Sequence, residues 1–166
     1  MMELGISASA LPMNREMGDY MAKAARYSLF MAAALALTGC AGNVPKDLGV
    51  RDGRLAACPA SPNCVSSQAD DERHRIAPLA FRGNPDAAFA RLKQLLGRRG
   101  DTRIIEEREG YLRVELHTAL FVDDGEFLLD REHNVIQVRS ASRLGHSDLG
   151  KNRSRMEEIR RGFLKG

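Results

Sequence analysis

The sequence contains no tryptophan, and aromatic residues make up only 5% of its 166 positions. A hydrophobic core must therefore be built mainly from aliphatic side chains. A large excess of one charge is also lacking, because the formal net charge is only +3. Proteins that bind nucleic acid electrostatically usually carry a marked basic patch. We therefore expect no nucleic acid among the partners of this protein.

Metal-binding and nucleophile motifs are scarce as well. Three cysteines leave no second cysteine pair to complete a four-ligand zinc site. The G-x-S-x-G turn of α/β-hydrolases does not occur, and the four histidines are scattered along the chain. The sequence therefore predicts no catalytic residue, no metal site and no cofactor.

No apolar run reaches the roughly 20 residues that a membrane-spanning helix needs. Residues 21–39 have the features of a signal peptide instead. The positive charges of Lys23 and Arg26 precede an apolar segment that runs from Ser28 to Leu37. This order of charge and hydrophobicity is typical of exported proteins.

The signal ends in the residues LTGC, which match the lipobox of bacterial lipoproteins. In such proteins the cysteine thiol accepts diacylglycerol, so we predict that Cys40 is lipidated. Each buried acyl CH2 contributes about 0.8 kcal/mol, and several chains together give a lasting membrane anchor. Ala41, which follows the cysteine, favours sorting to the outer membrane, with the protein facing the periplasm.

The first 20 residues do not belong to this signal. They lack periodicity and precede a better positively charged region. We expect translation to begin at Met17 or Met21, and we assign residues 1–39 to an N-terminal extension plus signal peptide.

Residues 40–57 are predicted to be the lipidated cysteine and a flexible tether, because glycine and proline interrupt any sustained period. Cys58 and Cys64 follow as the only other cysteines. In an oxidising compartment a disulfide between them is the favoured interpretation. A redox-active pair and a metal site are the alternatives, although C-x-x-C spacing and further ligands are missing.

Residues 58–166 are predicted to form a single α+β domain. One helix begins at Asn84, the N-cap before Pro85, and ends at Gly97; another begins near Gly150. We expect an antiparallel sheet of four or five strands, with both helices packed on one face. A closed barrel would need more strands. The strands are predicted at residues 103–108, 111–121, 126–130 and 135–140, with a short edge strand within 74–81.

Two turns follow from the strand assignment. Residues 131–134 are predicted to be a hairpin loop, which would place Glu126 opposite Arg139. Asp123, Asp124 and Gly125 are predicted to form another turn. With Glu126 these carboxylates could bind a cation, but the ligand spacing of a calcium loop is missing, and a solvated turn is favoured.

The segment from Val135 to Phe163 carries the densest set of polar side chains that packing does not require. Guanidinium groups, hydroxyls and the free N–H groups of a helix start are what a phosphate or carboxylate needs. These residues are therefore a candidate site for an acidic ligand of the cell envelope. Its members are Arg139, Ser140, Ser142, Arg143, His146, Asn152 and Arg153.

A structural interpretation of the same segment is open. Its polar side chains could cap the helix and satisfy backbone groups. Burial of Arg139 and Arg143 against aspartate or glutamate would identify the segment as a structural clasp.

Two motifs resemble those of a bacterial family of proteins of unknown function, whose members often carry lipoprotein signals. They are CPASPNCVSSQ and VRSASRLGHSDLGKNRSRMEEIRRGF, and the likeness covers about residues 55–165. Gly125 departs from the apolar residue expected between Asp124 and Glu126. The resemblance implies a domain type but no reaction.

Two classes of function remain. A lipid-anchored binding or structural module of the envelope is favoured, because the lipobox is present and no nucleophile–base pair is recognisable. The alternative is a hydrolase-type enzyme acting on an envelope component. It would require His117 or His146 to meet a carboxylate and a hydroxyl in one pocket.

Overall fold

A six-stranded sheet organises the fold in a computed structural model that describes residues 42–165. The signal peptide, the translation start and Cys40 lie outside the described residues. The strands are β1 (Val50–Arg51), β2 (Arg54–Leu55), β3 (Cys64–Ser66), β4 (Leu79–Ala80), β5 (Thr102–Arg108), β6 (Tyr111–His117), β7 (Val122–Asp130) and β8 (Val135–Ser142). The helices are α1 (Pro85–Gly97) and α2 (Lys151–Lys165).

The main sheet has the strand order β3-β8-β7-β6-β5, and β4 also pairs with β8. All of these strand pairs are antiparallel, so the predicted antiparallel α+β class is confirmed. The strand count of four or five was too low. β4 lies within the edge strand predicted at residues 74–81. The missed strand is β3, which has only three residues and is too short for an alternating pattern to reveal it. β1 and β2 form a separate two-stranded sheet.

The β7–β8 hairpin has the predicted register. Asp130 pairs with Val135, and Glu126 pairs with Arg139. Asn134 takes a left-handed φ of 55° at the end of the loop, a conformation that asparagine tolerates better than most residues. The helix start is also as predicted, because the Asn84 side chain accepts a hydrogen bond from the N–H of Ala87 at 2.9 Å.

The turn predicted at residues 123–125 is wrong. β6 ends at His117, and the chain turns at residues 118–121, where the N–H of Phe121 donates to Oγ1 of Thr118 at 3.0 Å. Asp123 and Asp124 lie inside β7 and are buried. Arginine partners from distant parts of the chain make this burial tolerable, as described below.

Both helices contribute to one aliphatic core on a single face of the sheet. Helix residues Leu92, Leu96, Met156 and Ile159 belong to the same buried cluster as alternate residues of the strands. On β6 these are Leu112, Val114 and Leu116; on β8 they are Ile136 and Val138.

Gly125 faces this core, and its lack of a side chain has a packing reason. A Cβ at this position would lie 2.8 Å from Cγ2 of Val114 and 2.9 Å from Cδ1 of Leu116. The side chains of β6 thus fill the space that the apolar residue expected from the family pattern would occupy. A larger residue here would need smaller ones on β6.

Residues 42–57 do not form the expected flexible tether but pack against the folded domain. The N–H of Gly49 donates to Oε1 of buried Glu126 at 2.7 Å. The N–H of Leu55 donates to Oε1 of Gln68 at 2.8 Å, and Leu55 is itself buried. Residues 42–57 therefore cover part of the polar face of the sheet. The sequence did not predict this packing, because the segment has too little regular structure to show a hydrophobic period.

Candidate functional site

The candidate site residues of β8 lie on opposite faces of the sheet. Side chains alternate along a strand. Ser140 and Ser142 pair with Gly125 and Asp123 on the helix-covered face, whereas Arg139 pairs with Glu126 on the other. The seven residues therefore do not form one surface.

Arg139 is buried in an ion pair on the polar face. Its Nη1 lies 3.1 Å from Oε2 of Glu126, and the two side chains are 3% and 0% exposed. Glu126 also accepts a hydrogen bond from the hydroxyl of Tyr111 at 2.8 Å. Burial and the charge of Glu126 raise the pKa of Tyr111 well above its ordinary value. The carboxylate of Glu126 thus joins Arg139, Tyr111 and the N–H of Gly49 in one network.

Arg143 is held by two carboxylates. Its Nε lies 2.7 Å from Oδ2 of Asp124, and its Nη2 lies 2.7 Å from Oε1 of Glu115. The hydrogen bond to Asp124, reinforced by Glu115, raises the pKa of Arg143 despite its burial. With Arg139 and Arg143 both buried against carboxylates, the geometry is the one specified for a structural clasp. The guanidinium groups of both arginines are thus occupied by carboxylates of the protein itself.

The Arg143–Glu115 pair predicts a pH dependence of stability. Burial raises the pKa of Glu115, but the hydrogen bond and charge of Arg143 outweigh it and hold the pKa below the ordinary 4.5. Such a carboxyl stabilises the fold fully above its unfolded-state pKa, and this contribution is lost as pH falls through the folded-state pKa. We expect the free energy of unfolding of wild type to fall more steeply below about pH 4.5 than that of Glu115→Gln.

Urea unfolding at a series of pH values measures this difference. Glu109→Gln is the matched control, because the side chain of Glu109 is 95% exposed. Parallel pH profiles for wild type and Glu115→Gln would contradict the prediction.

On the helix-covered face of the sheet, Asn152 forms hydrogen bonds with both Ser140 and Ser142. Its Nδ2 donates to Oγ of Ser142 at 2.9 Å and to the carbonyl of Asn63 at 3.1 Å, and its Oδ1 accepts from the hydroxyl of Ser140. Asn152 is fully buried, and these contacts satisfy its amide. Asn152 occupies a position of the helix stripe where leucine would be expected, and it connects α2 to β8 and to the residue that precedes β3.

The side chains of the last two candidate residues, Arg153 and His146, form no hydrogen bond with Asn152, Ser140 or Ser142. Arg153 donates to the backbone carbonyls of Arg75 and Arg73 at 2.8 and 2.7 Å, which fastens α2 to the segment before β4. His146 is exposed in the loop between β8 and α2.

Sequence reasoning missed a buried pair formed by Arg155 and Asp123. Nη1 of Arg155 lies 2.6 Å from Oδ2 of Asp123, and the side chains are 1% and 4% exposed. A signal was available, because position 155 follows Asn152 by one helical turn and so shares its buried stripe. Asp123, Asp124 and Glu126 each have an arginine partner, and residues 42–165 contain no group of three His, Cys, Asp or Glu side chains arranged to hold a metal ion.

The two cysteines behave as predicted. Cys58 and Cys64 form a disulfide, with their Cα atoms 5.7 Å apart. Cys64 begins β3, so the bond ties the preceding loop to the edge of the sheet.

A cavity of about 200 Å³ opens between the β6–β7 turn and the loop that leads into α2. Its walls include the apolar side chains of Phe121, Leu144 and Leu149, and Asp123 also lines it. Lys151 and Ser142 add polar groups. Of the seven sequence-derived candidates, only Ser142 lines this cavity. The cavity could not be predicted from the sequence, because its walls come from loops whose apolar residues follow no helical or strand period.

The two sequence motifs are neighbours in the structure. The first contains the disulfide and β3, the second contains most of β8, the following loop and most of α2, and β3 pairs with β8. A family model described as a protein of unknown function, DUF1499, matches residues 54–163. The chain belongs to the DUF1499 family. Searches among curated proteins and among solved structures found no match.

The histidines of this DUF1499 domain do not line the cavity. Nε2 of His117 lies 3.3 Å from Oε2 of Glu115. Nδ1 of His74 contacts Asp71 at 2.9 Å, and its Nε2 contacts the carbonyl of Ser61 at 3.1 Å. Within residues 42–165 no histidine is hydrogen-bonded to a side-chain hydroxyl. In this part of the chain, neither His117 nor His146 therefore meets both a carboxylate and a hydroxyl within the cavity.

Proposed function

We propose that this DUF1499 protein is a lipid-anchored binding module of the bacterial cell envelope. The anchor is Cys40, and the membrane is the outer membrane on its periplasmic side. The lipobox supports the anchor. In the part of the chain that the structure describes, neither helix is long and apolar enough to cross a bilayer.

The cavity beside α2 supports the binding role. It combines apolar walls with a buried carboxylate, because Asp123 lines it while one carboxylate oxygen is held by Arg155. Small-molecule sites commonly have this composition, with a few polar groups that orient a mainly apolar ligand. The chemistry fits an amphipathic molecule whose apolar part contacts Phe121 and Leu144 and whose polar group donates a hydrogen bond to Asp123.

An acidic envelope ligand, which the sequence led us to expect, would meet different groups from those first considered. Arg139 and Arg143 are engaged by carboxylates. Lys151, which lines the cavity and is exposed, supplies the positive charge there.

Mass spectrometry of protein extracted from native membranes tests anchor and ligand together. Under denaturing conditions we expect a covalent lipid mass that Cys40→Ser lacks. Under native conditions we expect an additional non-covalent mass. Ser147→Trp, which places a large side chain among the cavity-lining residues, should weaken that ligand by about tenfold or more, since about 1.4 kcal/mol of lost contact has this effect.

Leu164→Trp is the matched control, because Leu164 is exposed in the last turn of α2. It should retain the ligand. Equal ligand occupancy in the two tryptophan variants would exclude the cavity as the binding site, and the absence of a lipid mass in wild type would exclude the anchor.

A further inference from the structure

The exposed apolar side chains of this protein are concentrated at one end. Residues 42–165 contain eight large apolar residues that are exposed. Three of these line the cavity, namely Phe121, Leu144 and Leu149, and a fourth, Leu120, precedes Phe121 in the chain. Single exposed apolar residues are common on soluble proteins, but a contiguous group marks an interaction surface. We call these four residues the apolar rim.

Leu149 is unfavourably placed for a residue that contacts only water. It is 97% exposed, and its backbone has a φ of 52°. Left-handed backbone is uncommon for a bulky residue outside glycine, asparagine and aspartate, and such outliers cluster at functional positions. The loop thus holds a leucine outward in a conformation that leucine does not prefer.

The described chain begins beside this rim. Gly42 packs so closely on the loop that a Cβ there would lie 2.9 Å from Cγ of Leu144. Cys40 is two residues earlier, and two extended residues span at most about 7 Å. The proposed lipid anchor therefore leaves the protein within a short distance of the apolar rim.

The charges around the rim suit a membrane surface. Lys151 is exposed next to Leu149, where its ammonium group can meet anionic phosphates. The carboxylate of Asp148 accepts hydrogen bonds from the N–H groups of Gly150 at 3.0 Å and Asn152 at 2.7 Å. Asp148 is therefore engaged at the start of α2, and Asp123, the other acidic residue that lines the cavity, is buried and paired with Arg155.

We propose that the apolar rim docks on the bilayer that holds the lipid anchor, and that Leu149 and Phe121 insert at the boundary between head groups and acyl chains. Amphipathic surface elements insert about 5–10 Å into this boundary. The mouth of the cavity then faces the membrane interface, so its amphipathic ligand enters from the bilayer. This inference rests on the proposed anchor for its geometry.

Tryptophan fluorescence tests the docking, and the absence of natural tryptophan makes each single-tryptophan variant unambiguous. The variants are Leu149→Trp in the rim and Leu164→Trp as control. Leu164 is 66% exposed and lies 13 positions after Lys151 on α2, about 20 Å away along the helix. Each mature protein is reconstituted into vesicles of phosphatidylethanolamine and phosphatidylglycerol with or without brominated acyl chains.

We expect the emission of Leu149→Trp to shift to shorter wavelength on vesicles and to lose intensity with bromines near the head groups. Leu164→Trp should show neither change. Equal responses from the two variants would overturn the docking. A blue shift of Leu149→Trp that occurs without vesicles and grows with protein concentration would also overturn it, because the rim would then bind a second copy of the chain.

The lipid mass at Cys40 is measured on the same samples. Loss of the anchor and loss of docking are therefore separate results. Ligand occupancy is measured in detergent, independently of the vesicle experiment.

Discussion

Replacing Arg155 with alanine is expected to lower the free energy of unfolding by about 3–5 kcal/mol, because removing one partner of a buried ion pair leaves the other charge without compensation. Arg155 is 1% exposed, and its Nη1 lies 2.6 Å from Oδ2 of Asp123. The alanine variant would leave the Asp123 carboxylate beside the apolar core. Urea unfolding followed by circular dichroism measures the loss.

Two further variants separate the ion pair from loss of packing. Arg161→Ala removes an exposed arginine from the same helix and should change stability by less than about 0.5 kcal/mol. The double variant Asp123→Leu/Arg155→Met replaces both charges with apolar groups and should recover much of the loss. Nε and Nη2 of Arg155 are buried without a hydrogen-bond partner among the described residues, which favours this recovery. Wild-type stability of Arg155→Ala would contradict the assignment.

Glu126→Ala should be similarly destabilising, by about 3–5 kcal/mol. Its carboxylate accepts hydrogen bonds from Arg139, from the hydroxyl of Tyr111 and from the N–H of Gly49, and all three donors would lose their acceptor at a fully buried position. The effect should also be local. Hydrogen exchange should show that amides around Gly49 lose protection at denaturant concentrations where the β6–β7 amides remain protected.

Glu107→Ala is the comparison for Glu126→Ala. Glu107 pairs with Lys93 at 2.7 Å, but both side chains are about half exposed, so its removal should cost less than about 1 kcal/mol. Unchanged protection around Gly49 in Glu126→Ala would show that residues 42–57 are held by other contacts.

Short-range features of the fold could be predicted because their signals lie within a few residues. The Asn84 cap and the four-residue loop of the β7–β8 hairpin each follow from local chemistry. The pairing of Glu126 with Arg139 followed from the length of that loop alone. The disulfide was predicted from the oxidising compartment expected for an exported protein and from the two cysteines that remain after Cys40.

Features that depend on distant partners could not be predicted in the same way. Asp123-Asp124-Gly125 has the composition of a turn, and only Arg143 and Arg155, tens of residues away, turn it into buried strand. The polar side chains between Val135 and Phe163 indicated a ligand site, but the candidate arginines among them bind carboxylates and backbone carbonyls of the protein itself. The cavity depends on loop positions that have no periodic signal.

The packing of residues 42–57 against the sheet limits how far the domain can move from a lipid attached at Cys40. A free tether of about 17 residues would have an end-to-end distance of about 23 Å, so the domain could move that far from the lipid in any direction away from the membrane. With contacts that begin at Gly42, an anchor at Cys40 leaves only about 7 Å of play. With the anchor that we propose at Cys40, the domain would stay close to the bilayer surface and would reach only partners that lie at that surface, whereas a free tether would let it reach partners farther away.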